Sequence, residues 1–332
     1  MSGPEVTVVV PTRDRWPHLS RAALPAALSQ QGVELEVVVV DDGSADETPR
    51  RLAQLDDARV RTIRSERSEG VARARNRGIA AARAEWVAFL DDDDLWSPLK
   101  LRAQLDAVAA QGADFAYSAA VFVDAHGTPL RPDPAPDPAT VRETLRASDV
   151  VGGPSTVMAR TALVRELGGF EPSLAVLADW DLWLRLAGAG RAAACADVLV
   201  AYREHGENMS AVAAGRVFDE LDVLNGRHGL ARDLDGVLFT RWVAGQQRAG
   251  GRRGAAARAY LRGARRFRSP GLLVRALAMP FGEPVMGIPE RFRGLRGGAE
   301  SRPSGPMDPN WLDLYRGHLA ASPCGDTGPL LR

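Results

Sequence analysis

Four carboxylates stand side by side in "VAFLDDDDLW", Asp91 to Asp94, directly after the apolar run 87–90. A short apolar run reads as a buried strand, and Asp91 marks its end. Adjacent anions repel, so folding them together costs free energy unless a cation compensates. One chemistry for such a run is a hard divalent cation, Mn²⁺ or Mg²⁺, held by the similarly oriented Asp91 and Asp93. The cation would neutralise a diphosphate. The plainer alternative is a solvated loop, or acids capping a helix that starts near Ser97. A second pair, Asp41 and Asp42, lies in "VVVVDDGS". A carboxylate there can accept from a nucleobase N–H. Equally, Gly43 and Ser44 make an ordinary strand-to-helix turn, and taken alone the two readings stay level. A third polar cluster, "PTRD" (11–14), follows the apolar run 6–10.

The elements around these clusters alternate. Strands read at 6–10, 35–40, 60–64, 86–90 and 115–123, with helices near 18–30, 44–55, 70–82 and after Ser97-Pro98. The second helix is expected to open on a capping box of Ser44 and Glu47. This alternation predicts an α/β domain with a mostly parallel sheet, whose sites form outside the carboxyl ends of its strands. The three polar clusters all hold that position, which implies one crevice. Residues 127–138, "GTPLRPDPAPDP", read as a loop or lid-like linker. A strand at 155–159, a short helix at 161–167, a helix at 179–187 and a strand at 198–203 follow. Beyond about 211 the sequence turns to Ala/Arg-rich helices running to about 279. Residues from about 297 on read as weakly ordered.

Composition excludes several classes. The 332 residues carry 42 basic and 42 acidic side chains, so no global field points to nucleic acid or a membrane. Lys100 is the only lysine. The two cysteines, Cys195 and Cys324, sit in no metal-ligand spacing and suit a reducing cytoplasm. The N-terminal apolar stretch is too short for a signal peptide, and no run approaches the ~20 residues of a membrane span. The expectation is a cytoplasmic protein, soluble or peripheral at the inner face of the membrane.

In their order and spacing, "VVVPTRDR", "VVVVDDGSADET", "GVARARNRGIAAARAEWVAFLDDDDLW" and "LADWDLWLRLAGAG" resemble a family 2 glycosyltransferase of the GT-A fold. The resemblance covers roughly the first 208 residues. It implies a Rossmann-like mixed sheet flanked by helices over 1–208. A helical C-terminal region at 209–296 and a tail at 297–332 follow it. The implied activity is inverting, metal-dependent transfer from a nucleoside-diphosphate sugar, most often UDP-linked, to a hydroxyl acceptor. Pro11, Thr12 and Asp14 then belong to the loop beside the nucleotide, and Asp42 resembles the uracil-reading carboxylate. Arg75 and Asn76 resemble a nucleotide-proximal pair. Asp91 and Asp93 match the two acids of the D-x-D motif, with Asp92 near the ribose. Asp179 matches the catalytic base, although the family's preceding Glu is here Ala178. Asp181 is the competing base, with a first-turn acid at a helix N-terminus as its structural role. His205, in "YREHGENMS", matches a third metal ligand, against an ordinary surface histidine. Trp180 and Trp183 read as core and acceptor-wall residues.

Between 241 and 300 there are thirteen arginines against three glutamates. This reads as a helical appendage packed on the catalytic domain, with a peripheral anchor on anionic lipid as the rival. Rival functions remain. A sugar nucleotidyltransferase wants a glycine-rich first loop, which "PTRDR" lacks. A metal-dependent phosphatase of the haloacid-dehalogenase type wants its acid nucleophile after the first strand. A nucleotide-sugar-binding protein without catalysis has Ala178 in its favour.

Overall fold

The structure, a computed structural model, describes residues 3–204, 216–249, 251–279 and 310–320. The chain forms two compact units. One comprises Met1–Leu145, Asp149–Glu204 and Gly305–Arg332, the other Arg146–Ser148 and His205–Ser304.

The first unit is built on a nine-stranded mixed sheet. Its strands are β1 (Val6–Thr12), β2 (Leu35–Asp41), β3 (Val60–Arg64), β4 (Trp86–Phe89), β5 (Leu95–Trp96), β6 (Phe115–Val123), β7 (Pro129–Asp133), β8 (Met158–Arg160) and β9 (Ala192–Arg203). The order is β3-β2-β1-β4-β8-β6-β9-β5, with β7 on β6. β3, β2, β1 and β4 run parallel, and β8 then pairs antiparallel with β4. β1 and β2 are buried along their whole length, as β-branched strands covered on both faces must be. Each buried Val side chain there contributes about 1.5–3 kcal/mol. Helix α1 (Val71–Ala81) lies so close to β1 that a Cβ on Gly78 would collide with the Val9 side chain. Helix α2 is Lys100–Gln111, and helix α3, Ala178–Ala189, buries Leu182, Trp183 and Leu186.

Four expectations change. The first helix runs from Trp16 to Leu28 and contains a π-helical turn, Leu19–Ala23. Pro25 follows that turn, and it can neither donate an N–H nor tolerate the carbonyl four residues back. The capping box is absent: the helix begins at Thr48, whose N–H is accepted by Asp46, while the Ser44 hydroxyl is taken by the Asp14 N–H. Part of the expected 127–138 loop is strand β7, an antiparallel hairpin partner of β6, with Asp124 accepting the N–H groups of His126 and Thr128 in the turn. Pro129 and Pro132 are tolerated because β7 is an edge strand. Residues 310–320, expected to be weakly ordered, form a 3₁₀ turn and the helix Asp313–Ala320. Tyr315 is buried there and donates its hydroxyl to the Trp96 carbonyl at 2.8 Å.

The second unit holds helices α4 (Val217–His228), α5 (Gly236–Ala249), α6 (Arg253–Arg266) and α7 (Pro270–Ala278). The Phe218 and Phe239 rings meet edge to face at 5.5 Å, and Arg262 and Arg266 pair with Asp219 and Asp222. No described helix is long and apolar enough to cross a membrane.

Candidate active site

β1, β2 and β4 are parallel neighbours, so their carboxyl ends deliver "PTRD", "DDGS" and "DDDD" to one edge of the sheet. The register sets Pro11 beside Val40 and Thr12 beside Asp41. Asp14 sits at φ +53°, a conformation that Asp tolerates better than most residues. Its Oδ1 accepts the N–H groups of Ala45 (2.6 Å) and Asp46 (3.2 Å), locking the first loop onto the second.

Asp42 is buried and makes three contacts. Oδ1 accepts the Glu69 N–H, and Oδ2 accepts the Gly70 N–H and the Ser68 hydroxyl, all within 2.9 Å. It thereby fastens the 68–70 segment over the end of β2. Gly43 is required for this: a Cβ on it would lie 2.6 Å from the Arg67 backbone. Asn76 is also committed. Its amide accepts from the Phe170 N–H and donates to the Phe170 carbonyl, both at 2.7 Å, so both polar ends hold the "GGF" turn.

The four acids meet arginines. Arg15 reaches Asp92 Oδ1 at 2.9 Å and Asp93 Oδ2 at 2.7 Å, and Arg75 Nη2 lies 2.5 Å from Asp91 Oδ1. The Ser155 hydroxyl donates to Asp94 Oδ2 at 2.6 Å and accepts the Asp91 N–H. Thr12 Oγ1 donates to Asp92 Oδ2 at 2.8 Å. Burial, then the charge of Asp93, pushes the Asp92 carboxyl up to about 8, against Arg15 and Thr12. Burial and the Asp93 and Asp91 charges likewise hold Asp94 well above its ordinary value. Burial lowers the pKa of Arg203, while Asp93 and Asp94 oppose that shift. The anionic run therefore folds with Asp92 protonated at neutral pH, Asp94 shifted in the same direction, and arginines beside Asp91, Asp92 and Asp93.

Asp179, at the start of α3, faces the same edge. Burial raises its carboxyl to about 6, with Arg75 opposing and Asp91 adding to the shift. Asp181 is fully buried and paired with Arg185, which also donates to the carbonyls of Leu167 and Gly169. The helix rotation thus separates the two acids, and Asp181 is committed to its pair with Arg185. Trp183 is fully buried, donates to the Gly152 carbonyl and packs against Phe89 and Phe170. Trp180 is buried and donates to the Leu145 carbonyl. Both are core residues.

The family model described as "Glycosyl transferase family 2" matches residues 7–165. The putative teichuronic acid biosynthesis glycosyltransferase TuaG of Bacillus subtilis (strain 168) is 30% identical over 188 residues, covering 55% of this chain and 72% of that protein. The chain belongs to glycosyl transferase family 2. The succinoglycan biosynthesis protein ExoO of Rhizobium meliloti (strain 1021) is 44% identical over 128 residues, 39% of this chain. Escherichia coli WfgD, named as a UDP-Glc:alpha-D-GlcNAc-diphosphoundecaprenol beta-1,3-glucosyltransferase, is 30% identical over 112 residues, 34% of this chain. The matches span 36% of ExoO and 44% of WfgD, less than half of either protein. Among solved structures, S. aureus TarS 1-349 in complex with UDP-GlcNAc has a TM-score of 0.57 at 20% identity, covering 86% of this chain and 82% of that one. A Pyrobaculum calidifontis mannosyltransferase in complex with GDP-Man and Mn²⁺ has a TM-score of 0.53 at 20% identity, covering 96% and 86%. The fold is GT-A: a mixed sheet flanked by helices, with a helical C-terminal region.

In this family 2 chain, Asp91 and Asp93 offer only oxygen donors, which suits a hard divalent cation. Among the described residues no group of three or more His, Cys, Asp and Glu side chains could enclose a metal, and His205 lies outside the described residues. The donor set fits a cation held by two carboxylates, with phosphate and water completing its shell, a common arrangement for Mg²⁺.

Sequence reasoning missed Arg15, Ser155 and Arg203 as partners of the acids. Arg15 had a signal, since it adjoins "PTRD" and the anions demand a cation. It also missed Asp149, whose Oδ1 accepts the Gly152 N–H and whose pKa is raised well above the ordinary value by burial and by Asp179.

Proposed function

We propose that the chain transfers a sugar from a nucleoside-diphosphate donor, UDP-linked, to an acceptor hydroxyl with inversion at the anomeric carbon. The observation that carries this reading is Asp179, a carboxyl tuned to about 6 beside Arg75 and Asp91. It is ionised at neutral pH, yet basic enough to take a proton. The acceptor hydroxyl gives its proton to Asp179, and its oxygen attacks the anomeric carbon opposite the diphosphate. The bond from that carbon to the diphosphate oxygen breaks, and the electron pair leaves with the diphosphate. Asp91 and Asp93 would hold a divalent cation, which would neutralise the leaving diphosphate. Arg75 contributes too: its Nε is buried without a hydrogen-bond partner among the described residues, a spare donor for an anionic substrate. Asp14 and Asp42 shape the nucleotide pocket by fixing the two loops, with Asp42 also facing the base and Asp92 near the ribose.

The named substrates of WfgD support a UDP-sugar donor and a glycan-precursor acceptor. The test is transfer from a panel of UDP- and GDP-sugars, with and without Mn²⁺, for the wild type and Asp179→Asn. Metal-dependent turnover is expected, falling about 10²–10⁴-fold in the variant with donor affinity nearly unchanged. Donor binding with no turnover by the wild type on any acceptor would favour the non-catalytic reading, for which Ala178 speaks. Equal turnover by the two proteins would remove Asp179 from the chemistry.

A further inference from the structure

Seven of the ten exposed large hydrophobic side chains among the described residues belong to the second unit. On α7, Leu273, Val274 and Leu277 are 44%, 58% and 64% exposed, at spacings i, i+1 and i+4 that form one face. The opposite face of α7 buries Leu272 and Ala276. α5 repeats the pattern, with Val237, Leu238 and Trp242 outward and Phe239, Val243 and Ala244 buried. Both helices thus satisfy a core with one face and still present aliphatic or aromatic side chains to solvent. That arrangement is unfavourable for a helix whose outer face meets only water.

The charge along these helices is basic, although Asp235 caps the start of α5 and Asp219 and Asp222 pair with Arg262 and Arg266. Residues 236–279 contain ten arginines and no Asp, Glu or Lys. Arg241, Arg253, Arg258, Arg265 and Arg268 are exposed. We propose that the second unit docks peripherally on an anionic bilayer, with the outer faces of α5 and α7 entering the headgroup–acyl boundary and the arginines pairing with lipid phosphates. Apolar residues flanked by arginine, on helices too short and too charged to span, are the combination that an interfacial site needs. A nucleic acid would match the arginines but leave Leu273, Val274 and Leu277 without stacking partners. A second copy of the chain would set one arginine-rich face against another. The proposal is independent of the transferase reading, because vesicle binding needs no sugar donor and either can fail alone.

The test is flotation of the full chain with vesicles of phosphatidylglycerol and phosphatidylcholine, against phosphatidylcholine alone, at low and high salt. Binding only to the anionic vesicles, with release by salt, is expected. Leu273→Ser/Val274→Ser/Leu277→Ser should weaken partitioning about tenfold or more. Arg258→Glu/Arg265→Glu/Arg268→Glu should abolish the preference for phosphatidylglycerol. All six side chains are exposed, so both variants should keep the wild-type thermal transition, and a variant that does not is replaced by the other as the deciding arm. Absence of wild-type binding to anionic vesicles would overturn the proposal. So would undiminished binding by the apolar variant, equal salt-sensitive affinity for an oligonucleotide, or a wild-type dimer that the serine substitutions dissociate.

Discussion

At the end of β2, Asp42 directs its carboxylate to two backbone N–H groups and a serine hydroxyl, and Asp41 accepts the Ser44 N–H. At the end of β4, Asp91 and Asp93 face arginine side chains, while Asp92 and Asp94 are held above the usual carboxylate range. The two clusters look alike in sequence. Backbone amides cannot leave without unfolding the loop that carries them, so the Asp42 carboxylate is fixed in place, while Asp41 also lies 3.3 Å from Arg64. Arginine side chains can exchange partners, so the second can give up an ion pair to a cation or a phosphate.

The largest effect expected from this contrast is at Asp93. Asp93→Asn should abolish transfer, a loss of about 10³-fold or more for a site that depends on a metal-held leaving group. It should leave the thermal transition nearly unchanged, because it removes one anion from an overcharged cluster. Calorimetry with UDP and Mn²⁺ should show weakened binding, and unchanged affinity would end the metal assignment.

Asp42→Ala should do the reverse. It leaves two part-buried N–H groups and a hydroxyl without their acceptor and should cost about 2 kcal/mol of stability in urea unfolding. If stability holds and only the Michaelis constant for the donor rises, Asp42 reads the base and does not fasten the loop. Asp181→Asn serves as a control inside α3: loss of the buried pair with Arg185 should destabilise by about 3 kcal/mol, with kcat of the folded enzyme little changed.

The last effect is in the pH profile. The Asp92 carboxyl is at about 8 in the folded protein and near 4 when unfolded, so between these values the native state holds more protons. Stability should therefore fall as pH rises through that window, measured in EDTA. Asp92→Asn should flatten this slope, and an unchanged slope would mean that Asp92 is already ionised. Activity should run the other way at low pH, declining below about 6 as Asp179 is protonated.

Local pattern carried much of this protein. The largely apolar runs of β1, β2 and β4 read as covered strands, and each was legible because a strand's burial is written in consecutive side chains. The acids that end those strands, and the spacing of Leu182, Trp183 and Leu186 that turns Asp179 and Asp181 apart, were legible for the same reason. What escaped were contacts between distant segments. β7 needs β6 to pair with, and its prolines mask it. Asn76 is explained only by Phe170, 94 residues away. Asp94 finds Ser155 across 61 residues, and Tyr315 reaches Trp96 across 219. The sequence by itself determined which residues end strands and which face of α3 is apolar, because both follow from the two- and 3.6-residue periods of the backbone. Only the tertiary structure decided which acids are satisfied and which are held in reserve, because a carboxylate's state depends on the burial and partners that folding brings to it.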